Sequence, residues 1–326
     1  MRRRDFIEAI VGSAAAWPLA TRAQQSAMPV IGLLEMGGPT SWDLEPFRRG
    51  LKDAGYVEGQ NLTIEYRFGN DDAARLPELA ADLARRKVRV IANVGSAIAA
   101  RAAKNATNTI PIVFGFGVDP VKLGMVASLS RPGGNVTGII SLSNELYGKQ
   151  FGIMHELLPQ ASHFGVLVNP KGILREKIVS DTQAAAGALG QTVEILDAAT
   201  STEMDAGFAR IGEEKRVQGL LVSNDTFYVE QRVQLAILAA RYAVPAIYPF
   251  REQTEAGGLL SYGPNLADRD RQVGVYVGRI LHGENPGELP VQQMSKFELI
   301  INLKTAKVLG LIILNSLQLL ADEVIE

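Results

Sequence analysis

The sequence predicts an α/β protein built as two similar lobes, each a parallel sheet with helical crossovers. Three observations predict it. From Met28 onward, short β-type runs alternate with amphipathic stretches at helical spacing, the pattern of parallel strands joined by helices. The chain has 326 residues, more than one core ordinarily holds, since single cores stop growing near about 250 residues. Local wording also recurs: Gly59-Gln60-Asn61-Leu62-Thr63-Ile64-Glu65 is echoed by Gly190-Gln191-Thr192-Val193-Glu194-Ile195, and Ile110-Pro111-Ile112-Val113 by Val244-Pro245-Ala246-Ile247. The offsets, 131 from Gln60 to Gln191 and 134 from Pro111 to Pro245, are nearly constant, as two structurally similar halves require.

The chain opens with Met1-Arg2-Arg3-Arg4-Asp5-Phe6-Ile7, continues through the uncharged run 9–20 and reaches Thr21-Arg22-Ala23-Gln24. A basic start, an apolar stretch too short to span a bilayer and small residues near a cleavage point form the tripartite export pattern. Residues 1–23 are therefore expected to be an export signal, cleaved after Ala23. Arg3-Arg4-Asp5-Phe6-Ile7 resembles the twin-arginine motif that addresses folded proteins for export. The alternative is a cytoplasmic amphipathic helix, which Trp17-Pro18 would kink. No later stretch approaches about 18 consecutive apolar residues. The mature chain is expected to be soluble and periplasmic, without a lipid anchor.

In the first half, residues 30–34 read as a strand, with Leu44, Phe47 and Leu51 marking the helix behind it. Leu62, Ile64 and Tyr66 alternate as a strand, and Leu76, Leu79, Ala80 and Leu83 share one face of a helix. A strand over 88–94, a helix from Ser96 and a strand over 110–116 complete the lobe. The second half repeats the order. Strands are predicted over 164–168, 193–196, 219–222 and 244–248, with helices around 173–189, 204–215 and 229–242.

Between the halves, Arg131-Pro132-Gly133-Gly134-Asn135 is a turn, and residues 136–140 after it are read as an extended crossing between lobes. Residues 257–264 form a second candidate crossing, whose glycines permit hinge angles. A helix over 268–281 should then pack back on the first lobe, and residues 286–290 begin a third crossing. Lobe I is thus expected to hold residues 28–138 with 265–289, and lobe II residues 139–264 with 290–326.

Composition narrows the function classes. With 47% hydrophobic and 21% charged residues and a formal net charge of −2, the chain has no basic footprint for nucleic acid. Zero cysteines exclude thiol catalysis, cysteine-ligated zinc and disulfides. His155 lies in an amphipathic stretch, and His282 lies at a helix end, where it favours the dipole. No nucleophile elbow, dinucleotide fingerprint, phosphate loop or zinc-protease motif is present. No catalytic residue, metal or cofactor is expected, and the chain reads as a non-enzyme.

Ligands of open α/β sheets bind outside the carboxyl ends of the strands, so the residues just after each strand are the candidates. Those ends are small, polar or glycine-rich. Glu35 and Gly37 follow the first strand. Gly95-Ser96-Ala97 leads from a strand straight into a helix, where Ser96 as cap leaves free amides and the positive helix end open to a carboxylate. Phe116 and Asp119 follow the next strand, with Asp119 placed to cap the turn at Pro120. Asn169, Asn224 and Tyr248 occupy the matching points of the second half, offering amides and an aromatic face. Ser143 is a further candidate contact.

Four segments together resemble a known family: Ala54-Gly55-Tyr56-Val57-Glu58-Gly59-Gln60-Asn61-Leu62, Ile110-Pro111-Ile112-Val113-Phe114 with Asp119-Pro120-Val121, Arg131-Pro132-Gly133-Gly134-Asn135-Val136-Thr137-Gly138, and Phe297-Glu298-Leu299-Ile300-Ile301-Asn302-Leu303-Lys304-Thr305-Ala306-Lys307. They are similar to the ABC transporter substrate-binding proteins that include the tryptophan/tyrosine-type periplasmic binding proteins, and the likeness covers essentially the whole mature chain. The resemblance implies a type I periplasmic-binding fold: two Rossmann-like lobes, three hinge crossings and a ligand cleft. It implies a receptor that delivers a small solute to a membrane permease and its ATPase, and the chain is expected to be a monomer. Some relatives are aromatic amino acid receptors, and the helix start at Gly95-Ser96-Ala97 is then the expected carboxylate site. Where such relatives carry a Gln and a His-Pro-containing loop after the first strand, this chain has Glu35 and Gly37-Gly38-Pro39-Thr40. The segment 312–320 is also more apolar than the family pattern. Alternatives to import are an accessory protein that presents its ligand to a signalling receptor, and a periplasmic enzyme on the same architecture.

Overall fold

The computed structural model describes residues 28–39, 43–141, 146–172 and 174–326. The expected export segment and Ser143 lie outside them. The first half forms β1 (Val30–Glu35), α1 (Glu45–Asp53), β2 (Thr63–Phe68), α2 (Leu76–Arg85), β3 (Ile91–Val94), α3 (Ala97–Ala106), β4 (Ile112–Phe116) and β5 (Val136–Ile140). The second forms α4 (Tyr147–Leu157), β6 (His163–Val168), α5 (Arg175–Ala188), β7 (Thr192–Asp197), α6 (Ser201–Glu214) and β8 (Gly219–Val222). It continues with α7 (Thr226–Glu230), α8 (Arg232–Arg241), β9 (Ala246–Tyr248), α9 (Arg251–Glu255) and β10 (Leu260–Pro264). Then come α10 (Leu266–Leu281), β11 (Gln292–Gln293), β12 (Phe297–Asn302), α11 (Leu303–Val308), α12 (Asn315–Leu320) and β13 (Glu323–Ile325).

Two sheets result, ordered β11-β5-β4-β3-β1-β2 and β13-β12-β10-β9-β8-β6-β7. The first five strands of each half take the same order, β2-β1-β3-β4-β5 against β7-β6-β8-β9-β10, as the repeated wording requires. The ladder between β10 and β12 is antiparallel. The inner strands β3, β4, β5 and β8 are buried along their whole length, which is why they read as unbroken apolar runs.

Each sheet is covered on both faces. In the first, Phe47 and Leu51 of α1 and Val273 and Val277 of α10 pack on Ile31, Leu33, Ala92 and Val113. Its other face carries α2 and α3, through Leu76, Leu83, Ala99 and Ala103, against Leu34, Ile91, Phe114 and Phe116. In the second, α4 and α5 cover one face with Phe151, Met154 and Ile178, and α6 and α8 cover the other with Phe208, Ile211 and Leu235.

The crossings differ from expectation. Residues 136–140 are not a connector but β5, paired along its length with β4 from Ile112–Val136 to Phe116–Ile140. Residues 260–264 are β10, held between β9 and β12. Residues 286–290 stay with the first lobe, where the Leu289 carbonyl accepts from Thr137 Oγ1 at 2.6 Å and the Gly287 carbonyl from the Gly133 amide. An extended apolar run beside an open sheet edge gains a ladder of hydrogen bonds, and that pairing is invisible locally. The first sheet therefore reaches past position 138, and through β11 past 289.

The helix α10 crosses from β10 back onto the first lobe, capped by Asn265 Oδ1, which accepts from the Asp268 amide at 2.9 Å. It meets α1 at backbone distance. A Cβ on Gly50 would stand 1.9 Å from the Arg271 carbonyl oxygen, and one on Gly274 would stand 2.2 Å from that of Phe47. Gly278 would meet Ala54 Cβ at 2.2 Å. We predict that Gly274→Ala destabilises the protein by about 1–3 kcal/mol or more, the cost of overpacking a filled interface. Gly148→Ala, in α4 with open space around it, is the control and should be neutral. Thermal melts followed by circular dichroism decide, and equal melting points for the two variants would refute the close-packing argument.

Candidate ligand-binding cleft

The strand order reverses between β1 and β3 in one sheet and between β6 and β8 in the other. At such switch points the following loops diverge to opposite faces and leave a crevice at the carboxyl ends of the strands. The two crevices face one another across a cleft of about 130 Å³. That is room for on the order of ten waters, comparable to the heavy atoms of an amino acid.

The first lobe's wall begins at Gly95, whose φ of +129° is open to glycine and turns the chain from β3 into α3. Ser96 caps that helix: its Oγ accepts from the Ala99 amide at 3.2 Å, and its own amide donates to Asn93 Oδ1 at 3.3 Å. Asn93 is anchored in turn through Nδ2 to the Leu34 carbonyl at 2.8 Å. The amides of Ala97 and Ile98 have no acceptor within the helix, and both residues line the cleft. Phe116 continues the wall, its ring stacked on Phe114 with centroids 4.2 Å apart.

The second lobe contributes Gly172, Leu174 and Ile178 after β6, and Asn224, Asp225 and Thr226 after β8. Asp225 Oδ1 caps α7 by accepting from the Phe227 amide at 3.0 Å, and accepts from Asn169 Nδ2 at 3.1 Å. Burial raises the Asp225 carboxyl above its usual range, against the lowering effect of those two hydrogen bonds. The Asn224 backbone is hydrogen-bonded to the Tyr147 hydroxyl. Val229 and Phe250 close the apolar side.

Of the residues predicted from sequence, Ser96, Ala97, Phe116 and Asn224 come together on this cleft. Asn169 stands behind it, orienting Asp225. Glu35 and Gly37 line a small adjoining cavity instead. Glu35 is 5% exposed, and its Oε1 accepts from the Val94 amide at 2.7 Å, tying β1 to β3 at the switch point. Burial pushes its carboxyl well above the usual range. Two further candidates stand elsewhere in the structure. Asp119 caps a turn through the Val121 and Lys122 amides and does not line the cleft. Tyr248 points into the core of the second lobe among Phe208, Leu220 and Leu235, because the pleat of β9 turns it inward. Phe250, two residues on, lines the cleft in its place.

The main residue missed is Arg269, on the first turn of α10. It is 3% exposed and lines the cleft beside Phe116. Its Nε and Nη2 each lie 2.8 Å from Asp270 Oδ1. A Cβ on Gly115 would stand 3.3 Å from Arg269 Nε, so the glycine in β4 makes way for the side chain. Nothing near position 269 in the sequence signals this, because the side chain arrives from a helix more than 150 residues beyond β4. Phe250 did carry a signal, as part of the Tyr248-Pro249-Phe250 strand end.

Among the described residues no group of His, Asp or Glu is placed to hold a metal ion, and no helix is long and apolar enough to cross a membrane. The tyrosine-binding protein of Clostridioides difficile (strain R20291) is 28% identical over 265 residues, 81% of this chain and 75% of its own. The fold matches a conserved domain protein of Vibrio cholerae O1 biovar El Tor, with TM-score 0.81 and 25% identity over 91% of this chain and 99% of that one. It also matches the Streptococcus pneumoniae ABC domain in complex with L-Trp, with TM-score 0.80 and 22% identity over 91% and 99% of the two chains. These likenesses identify the two-lobed architecture as the type I periplasmic-binding fold. The model of the ABC transporter substrate binding protein family matches residues 42–325, and the chain belongs to that family.

Proposed function

We propose that this protein is the periplasmic receptor of an ABC-type importer for a small carboxylated solute of amino-acid size, which it presents to a membrane permease and its ATPase. One observation carries the reading. The two walls of the cleft are chemically opposite, with the α3 amides of Ala97 and Ile98 on one lobe and the Asp225 carboxyl on the other. A helix N-terminus favours a carboxylate, and a carboxylate favours an ammonium, so an amino acid laid across the cleft is matched at both groups. Phe116, Phe250, Leu174 and Ile178 supply the apolar surround for its side chain. The tyrosine-binding relative and the L-Trp complex support this solute class. The basic, apolar N-terminus supports export. Contacts shared by two lobes favour the closed arrangement, which is how binding energy becomes a shape a permease can read.

A direct test uses Ala97→Pro. Proline is well tolerated at the first position of a helix, so the variant deletes one cleft-facing amide while keeping the fold. A thermal-shift screen over amino acids first identifies a stabilising solute, since ligand at ~100 times its Kd stabilises by about 2.7 kcal/mol. We expect the variant to bind that solute about ten- to a hundredfold more weakly, the loss of one charge-assisted hydrogen bond, with an unchanged melting point. Undiminished affinity would place the carboxylate elsewhere.

Closure also brings acidic side chains together. Beside the cleft lies an interlobe cavity of about 280 Å³, lined by Asp270 of the first lobe and Glu252 and Glu255 of the second. Burial pushes the Glu252 carboxyl up from 4.5 to about 7, with Asp270 and Glu255 adding to the rise and Arg269 opposing it. The folded protein thus holds a proton that the unfolded chain releases, and this stabilisation is fully present near pH 4.5 and lost as pH rises through 7. Glu35 and Asp225 act in the same direction. The lowered carboxyls of Asp82, Glu194 and Glu284 act oppositely, through stability lost only in more acidic solution. Between pH 5 and 8 we predict a fall in unfolding free energy on the order of 2–3 kcal/mol from Glu252. Urea denaturation across that range should show a flatter profile in Glu252→Gln, and parallel profiles would contradict the assignment.

A further inference from the structure

Arg269 lies outside both groups used above to recognise an amino acid. It reaches the cleft from α10, on the face of the first sheet opposite α3: α10 packs with Ile31, Leu33 and Val113, and α3 with Leu34, Ile112 and Phe114. The two positive elements therefore flank the carboxyl edge of neighbouring strands, since Val94 of β3 pairs with Gly115 of β4. A solute lying across that edge meets α3 amides on one side and a guanidinium on the other.

Several features build this position for a ligand. Gly115 is the strand residue over which the arginine side chain passes, with Val273 Cγ2 closing the same space 2.8 Å from where a Cβ would be. Asp270 Oδ1 accepts from Nε and lies 2.8 Å from Nη2, and Asp270 lines the neighbouring cavity, not the cleft, so it holds the guanidinium from behind. A buried ion pair adds little to stability, because the desolvation of both charges offsets their attraction. A guanidinium presents five donors in a rigid fork that matches a carboxylate, and held from behind that fork is preorganised for one. The nearby Glu35 carboxyl is held toward its neutral form by burial and so neutralises the arginine little.

We propose, building on the carboxylated-solute reading above, that Arg269 is a specificity-determining residue that selects a solute carrying a second acidic group. One carboxylate sits at the α3 N-terminus and the other on the Arg269 fork. The solute class is then a diacid, such as an amino acid with an acidic side chain.

Calorimetric titration of the native protein with matched probes tests this. L-Glutamate, L-2-aminoadipate and 4-carboxy-L-phenylalanine are compared with L-glutamine, L-norleucine and L-phenylalanine, which lack the second charge. We expect at least one acidic probe to bind more than about tenfold tighter than its counterpart, the scale of one charge-assisted contact. Arg269→Gln should abolish the difference between each acidic probe and its uncharged counterpart. Because that variant removes the arginine beside the buried Asp270 carboxyl, Arg269→Gln with Asp270→Asn provides a version in which both members of the pair are neutral. Uncharged probes binding as tightly as acidic ones, or an acid preference that survives in the double variant, would overturn the proposal. Silence from all six probes, in a protein that some monocarboxylate stabilises, would overturn this proposal alone. Silence to every carboxylated solute would remove the reading beneath it as well.

Discussion

The contact between α1 and α10 is the constraint on which the rest of the molecule depends. The α10 helix begins where the chain leaves the second sheet and ends packed on the first. Its approach to α1 is possible because Gly50, Gly274 and Gly278 carry no side chains into the seam. Backbone contact of this kind leaves little freedom for sliding or rotation, as close-packed interiors transmit displacement instead of absorbing it. The position of α10 sets where Arg269 enters the cleft, where Asp270 faces the second lobe, and where the chain resumes as β11. The hinge is thus anchored on one side to a rigid element.

How much of this was legible in the sequence follows from which facts are local. The strands β1 and β8 stand nearly where their apolar runs place them, and Ser96 is at its cap, because a glycine, a small polar residue and a helical stretch in succession have one good arrangement. The fate of residues 136–140 and 260–264 was not local. Each is an extended run that suits a connector or a strand equally, and the choice rests on partners far away in sequence. The predicted helix over 229–242 begins earlier, at Thr226, where Asp225 caps it, and splits at Gln231 into α7 and α8. Tyr248 and Phe250 show a different limit. The strand β9 ends at Tyr248, whose ring lies in the core, while Phe250 stands beyond the strand at the start of α9 and lines the cleft, so where the strand stops decides between them, and a three-residue strand leaves little pattern from which to read its end.

The chemistry of the cleft comes from two halves of like topology that differ at matching strand ends. Both halves turn at the same strand ends, yet the first places helix amides there and the second a carboxylate with an amide beside it. Two copies of one geometry carry opposite polarity, and the proposal of a dipolar solute rests on that difference. The acidic groups that meet away from the cleft, Asp270 against Glu252 and Glu255, repel one another when ionised, which adds to the burial that raises the Glu252 carboxyl.

The triple crossing has a further consequence, for the order in which the molecule assembles. Neither lobe is continuous in the chain: the ion pair between Arg271 and Asp53 joins residues 218 positions apart, and both belong to the first lobe. That lobe's sheet is closed at its edge only when β11 pairs with β5. Synthesis from the N-terminus delivers α1 and β1 through β5 long before α10 exists, so the face of the first sheet destined for α10 stays uncovered while the whole central part of the second lobe is made. Contacts of such sequence separation carry a large loop-closure cost and form late. The first half of the chain must therefore wait, incompletely packed, for its last helix, and during that interval the apolar residues Val113 and Ile139 are the surface a chaperone would meet.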